Sequence, residues 1–242
     1  MTDPDTRRAD LRDLGPAGAL AALWLICPAL LGFLLLAKLS VASEWLMSMG
    51  TLAPVVFAVL FAVTSGLGLL PTYAQAVVGG WVFGLGVGLT AALGGFVGGA
   101  LIGWLTARLV ARQRVEHAIE RHPHASVIRK ALIGRGWWRT FGIVTLIRIP
   151  PNSPFALTNL VLAACGVRLS VHLLGAAVGM TPRTAVIVGL AAAGAASGAE
   201  DLQSFVTDGP GPWVLVGGII TLLIALAIIA SIAQSAVTRL AD

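Results

Sequence analysis

The residues best equipped for chemistry fall in one short stretch, Leu146-Ile147-Arg148-Ile149-Pro150-Pro151-Asn152-Ser153-Pro154-Phe155-Ala156-Leu157-Thr158-Asn159. An arginine, the amides Asn152 and Asn159, and the prolines Pro150, Pro151 and Pro154 interrupt a run otherwise apolar enough for a membrane. A guanidinium is a planar fork of donors that matches a phosphate or carboxylate. Arg183 supplies a second one inside a later apolar run, next to Pro182. Holding an anion is the chemistry this set suits. The competing use of Arg148 is structural, capping carbonyls that the prolines leave unbonded. Arg183 either meets the same anion or snorkels toward an interface. Asn152 and Asn159 either line a cavity or satisfy broken backbone. No nucleophile–base pair, CxxC or HExxH occurs, so no enzyme activity, metal site or cofactor is expected.

What must position these groups is a membrane protein. Of 242 residues 57% are hydrophobic and 11% charged, with mean hydropathy +0.90, against about 25% charged in ordinary soluble domains. Arginine at the centre of a membrane helix costs roughly 2.5–3.5 kcal/mol on insertion scales. Irregular backbone at that depth survives only inside protein or beside a wet cavity. A broken, polar, apolar-flanked segment is therefore a candidate site. The basic pI of 10.2 reflects charge gathered in loops, and nucleic acid is not an expected partner. Cys27 and Cys165 lie in apolar segments and read as small hydrophobes. His117, His122, His124 and His172 sit near loops and read as solvated.

Along the chain, residues 1–16 read as a cytoplasmic tail and 17–242 as a single transmembrane domain. Ala17 to Leu39 is the first expected span, closed by Lys38, with Ser43 to Gly50 as an interfacial link. Thr51 to Gly88, broken at Pro71, reads either as a span with a long loop or as a re-entrant hairpin, and the hairpin is favoured because its second piece is about 13 residues against the ~20 a span requires. Leu89 to Leu109 is an ordinary span. The loop 108–139 carries Arg108, Arg112 and further basic residues, which places it in the cytoplasm. Arg108 and Arg112 read as interfacial anchors, and the loop either sets topology alone or also gathers anionic lipid head groups. Residues 137–166 form a second hairpin candidate, Leu169 to Ala193 a span, and Pro212 to Ala236 the last span. Both termini then fall inside, and the hairpins enter from opposite faces. Pro71, Gly84, Gly94 and Gly98 are spaced much like Pro154, Gly166, Gly175 and Gly179. The expected fold is all-α and polytopic, about four spanning helices plus two opposed re-entrant hairpins in an inverted repeat with a midplane site. Pro71, Gly80, Gly84, Pro150, Pro151, Pro154, Gly166, Gly179 and Pro182 are its expected shape-makers.

The signature Arg148-Ile149-Pro150-Pro151-Asn152-Ser153-Pro154-Phe155, with Asn159, Gly166 and Gly179-Met180-Thr181-Pro182, resembles the DedA superfamily, the VTT-domain group, and within it the TVP38-like bacterial branch. Leu70-Pro71, Gly79-Gly80 and Phe83-Gly84 fit as well, so the resemblance covers about residues 65–195. It implies a cell inner-membrane protein that moves a phosphate-bearing lipid, such as a polyprenyl phosphate or a phospholipid, between leaflets as translocase or scramblase. Membrane lipids with anionic head groups are then the expected partners, and a homo-oligomer is compatible. Alternatives on the same architecture are a small-solute or ion transporter and a non-transporting protein of membrane homeostasis or assembly. In the family's proton-coupled branch carboxylates accompany the arginines. This chain departs there, with no Asp or Glu between Glu44 and Glu116.

Overall fold

The computed structural model describes residues 15–111, 136–149 and 154–198, with side chains from residue 26 onward in the first segment and as far as 109. Every regular element among them is helical. The order is α1 (Gly15–Ala37), α2 (Leu39–Ser48), a 3-10 turn (Gly50–Leu52), α3 (Ala53–Gly66), α4 (Thr72–Thr106) ending in a π turn (Ala107–Ala111), α5 (Trp137–Arg148), α6 (Phe155–Ala164) and α7 (Leu169–Ala196). Two helices, Thr72–Leu109 and Leu169–Ala196, are long and apolar enough to cross a membrane, and a third arises if the bent pair Ile26–Ala37 and Leu39–Ser48 is one span. The chain is thus a multi-span, all-helical membrane protein. The expected last span, Pro212 to Ala236, lies outside the described residues, as do Arg112, Pro150, Pro151, Asn152 and most of the basic loop.

Two bends mark the first half of the chain. The first helix ends at Ala37, beside the Lys38 expected to close it, and the chain bends by 74° there and continues as α2, which overlaps the expected link Ser43 to Gly50. Burial explains the bend, since Leu39 and Leu46 are 1% and 4% exposed and α2 packs on α3 and α4. The second bend lies within 76–109. The return arm of the first hairpin and the span after it, together labelled α4, part at Gly84 (φ 71°, ψ −175°), a little before the expected boundary at Gly88, and the chain folds back there far enough to bring Gly88 against Gly79 and Gly80. Only glycine occupies that backbone region without strain. The chain therefore changes direction at Gly84 while its apolar run continues.

The centre of the molecule is the contact between α4 and α7, with α3 along α4 and α5 along α7. Small residues permit the approach. A methyl at Gly80 would meet the Val188 carbonyl and fall 2.9 Å from Ala191 Cβ. Such glycine-lined contacts are how membrane helices gain van der Waals area without a hydrophobic drive to associate. An edge-on aromatic series, Phe57–Phe61–Phe96–Phe155, joins α3, α4 and α6, with ring centroids 4.8–5.7 Å apart.

Candidate functional site

Two breaks define the site. In the first, α3 closes with Gly68 at φ 71°: Gly68 N–H donates to the Ser65 carbonyl and Leu69 N–H to that of Thr64 (3.1 and 2.7 Å), the usual left-handed helix ending. Pro71 (φ −64°, ψ 130°) then precedes α4. In the second, α5 ends at Arg148 and Pro154 (φ −59°, ψ 131°) precedes α6. Proline suits both positions because its fixed φ starts a helix and its missing N–H is not needed there.

The two breaks meet at a cavity of about 460 Å³. Its wall includes Pro71 and Tyr73 from one break, Pro154 and Phe155 from the other, Ser65, and Arg183 from α7. Pro28 and Ala29 of α1 close one side. Arg183 is 6% exposed; its Nη1 donates to Tyr73 Oη at a long 3.5 Å, and its guanidinium carbon lies 5.4 Å from the Tyr73 ring centroid.

Arg148 lies elsewhere. It does not belong to that wall and is buried at 3% exposure among α4, α6 and α7. Its Nη2 donates to Asn159 Oδ1 at 2.7 Å and lies 3.4 Å from His172 Nε2. Nε and Nη1 have no partner among the described residues. Asn159 is fully buried, and its Nδ2 reaches the Gly99 carbonyl at 3.5 Å. His172 Nε2 also stands 3.2 Å from the Ala100 carbonyl. One nitrogen cannot accept from the guanidinium and donate to that carbonyl at once, so the ring's tautomer selects which bond forms. Phe155 is common to both surroundings: its ring centroid is 5.5 Å from the Arg148 guanidinium carbon, and the residue lines the cavity whose wall includes Arg183.

Glycines shape the Arg148 cluster. A methyl at Gly179 would fall 2.6 Å from the Thr145 carbonyl oxygen and 2.9 Å from Arg148 Cβ. One at Gly103 would fall 2.6 Å from Asn159 Cβ. Gly166 (φ 79°) ends α6, its N–H donating to the Ala163 carbonyl. Trp104 Nε1 donates to the Val167 carbonyl at 3.3 Å, tying α4 to the start of α7. Pro182 sits within α7, one residue before Arg183. Arg108 is exposed in the π turn, its guanidinium carbon 4.6 Å from the Trp104 ring centroid.

The structure therefore brings Arg148 to Asn159 and sets Arg183 apart with Tyr73; Asn152 lies outside the described residues. Glu44 is the single carboxylate among the described residues, and neither buried guanidinium is ion-paired there. The reading of His172 as a solvated loop histidine was wrong, because it is fully buried. A usable signal was present: His172, Ala176, Gly179 and Arg183 recur at helical spacing and share one face of α7, all of them buried. Tyr73 and Ser65 were also missed, since neither interrupts the apolar pattern strongly. Among the described residues no group of three or more His, Cys, Asp or Glu could hold a metal.

Comparison with protein-family models matches residues 70–193, about half of the chain, to the VTT domain. No curated protein and no solved structure matches the chain.

Proposed function

Because the chain belongs to the VTT-domain family of the DedA superfamily, whose members are transporters and not enzymes, we propose that it translocates a phosphate-bearing lipid between leaflets. The supporting observation is the cavity shared by the two proline breaks, with the Arg183 guanidinium in its wall. Its volume lies within the roughly 300–1,000 Å³ of small-ligand sites. A head group fits there while the acyl chains stay in the bilayer. Arg183 contacts the phosphate directly through donors that Tyr73 leaves open. Arg148, held by Asn159, adds its positive charge from behind Phe155 and fixes the second break. An anionic group is the natural occupant, since two buried cations stand without a carboxylate among the described residues.

On this reading α3 with the first part of α4, and α5 with α6, are re-entrant hairpins of an inverted repeat entering from opposite faces. The first span, α4 past Gly84, α7 and residues 212–236 are the spanning segments. The protein sits in the cell inner membrane with both termini cytoplasmic, on the TVP38-like branch, and 17–242 is one domain. Arg108 and Arg112 lie at the cytoplasmic interface.

The test is reconstitution of the full chain in liposomes carrying a fluorescent lipid phosphate. Leaflet exchange well above that of empty vesicles, and lost in Arg183→Ala, is the expected result. Exchange no faster than in empty vesicles across a panel of polyprenyl phosphates and phospholipids overturns it. Uptake of a water-soluble anion without lipid exchange would instead assign the cavity to a small-solute transporter.

A further inference from the structure

Hydroxyls inside membrane helices normally settle onto their own backbone, donating to the carbonyl three or four residues back. Ser43, Thr64, Thr90, Thr106, Thr158 and Thr181 all do so here, at 2.7–3.1 Å. Two buried hydroxyls do not: Ser65 Oγ and Thr145 Oγ1 have no hydrogen-bond partner among the described residues. A buried unpaired polar group is destabilising and calls for a reason. The two differ in place. Ser65, 1% exposed, forms part of the wall of the cavity that holds Arg183, whereas Thr145 does not.

Position adds to this. Ser65 stands as far ahead of Pro71 as Arg148 stands ahead of Pro154. Both lie in the last turn of the helix before a break, and both press on a glycine of a following long helix, Gly99 for Ser65 and Gly179 for Arg148. The first break thus presents a hydroxyl where the second presents a guanidinium. We infer that Ser65 is a ligand-positioning residue, its hydroxyl donating to an oxygen of the phosphate group that Arg183 holds in the cavity. The inference rests on the anion-binding reading of that cavity and names a contact on its other side. A phosphate monoester has oxygens enough for both donors, and a neutral hydroxyl adds direction without adding charge. The same chemistry would serve a lipid head group or free inorganic phosphate.

The experiment uses the full chain in liposomes, with short-chain fluorescent phosphatidic acid as one probe and inorganic phosphate uptake as the other. The variants are Ser65→Ala and, as control, Thr145→Val. The expected result is a half-saturating probe level raised about tenfold in Ser65→Ala, the loss of one hydrogen bond to a charged group. Its limiting rate is retained, and its melting midpoint is no lower than that of the wild type, because an unpaired hydroxyl has been removed. Thr145→Val keeps wild-type half-saturation. Unchanged half-saturation in Ser65→Ala, with the wild type active, overturns the role of Ser65 and leaves the transport reading standing. A lowered melting midpoint with a proportionate fall in limiting rate also overturns it, since that marks a packing role. Phosphate uptake that depends on Ser65 without lipid exchange keeps the contact and removes the lipid. A wild type inactive toward both probes overturns both readings.

Discussion

The two breaks use one backbone device to different ends. Pro71 and Pro154 have nearly the same dihedral angles and each starts a helix after an interrupted one. Each of those helices reaches a glycine with positive φ, Gly84 or Gly166. The first break is neutral and closed on itself: Thr64 Oγ1 lies 2.7 Å from Gln75 Oε1, and Gln75 Nε2 donates to the Leu70 carbonyl at 3.4 Å. The second is held by a cation, Arg148 on Asn159, and keeps guanidinium nitrogens in reserve. The continuations differ too. The first of these helices turns back at the single residue Gly84, while α6 ends at Ala164 and residues 165–168 intervene before α7. Shape is thus shared between the halves, and charge is concentrated in one. The cavity between the breaks has a neutral side and a side that carries Arg183.

The sharpest way to break that contrast is to strand the cation. Asn159→Leu removes the acceptor of Arg148 and leaves a buried guanidinium with His172 as its remaining polar neighbour among the described residues. The expected cost is about 2–3 kcal/mol, read as the free energy of SDS unfolding in mixed micelles, together with loss of lipid exchange. A change under ~0.5 kcal/mol would mean that Asn159 does not hold the charge. Next in size are the glycines. Gly84→Ala puts a side chain at φ 71°, ψ −175° in open space, so its expected cost of about 2 kcal/mol is backbone strain alone. Gly166→Ala sits in a helix ending that other residues tolerate better, and about 1 kcal/mol is expected. If the two cost the same, the kink in α4 is softer than its dihedral angles indicate.

How much of this was legible beforehand follows from which residues interrupt an apolar pattern. Pro71, Pro154, Gly84 and Gly166 mark the breaks and turns because proline and glycine act locally on the backbone, so their consequences travel with the sequence. Arg148, Asn152 and Asn159 were visible as polar residues around a break, but the bond from Arg148 to Asn159 was not. Lys38 marked the end of the first helix by its charge, but the packed helix α2 after it was not legible, since Leu39 and Leu46 are buried by distant helices. His172 was hidden by proximity to a loop, although its helical register with Arg183 pointed inward. That Arg183 and not Arg148 lines the shared cavity depends on how α7 lies across both breaks. That is a tertiary fact, and no local pattern encodes it.

The smallest effect is expected at the neutral break, and its smallness is informative. Gln75→Leu preserves volume roughly and deletes both side-chain contacts of a residue only 4% exposed. Thr64 loses nothing essential, because its hydroxyl keeps the Leu60 carbonyl at 2.7 Å. The Leu70 carbonyl loses one long bond. Polar contacts between membrane helices average about 0.6 kcal/mol, and a loss of that order is the expected outcome in the same unfolding assay. Lipid exchange should stay within twofold of wild type, since Gln75 is not among the residues of the cavity wall. A loss as large as that of Asn159→Leu would erase the distinction between the two halves. The first break would then hold the cavity as tightly through an amide as the second does through a charge, and the concentration of buried cations in one half would need a cause other than ligand binding.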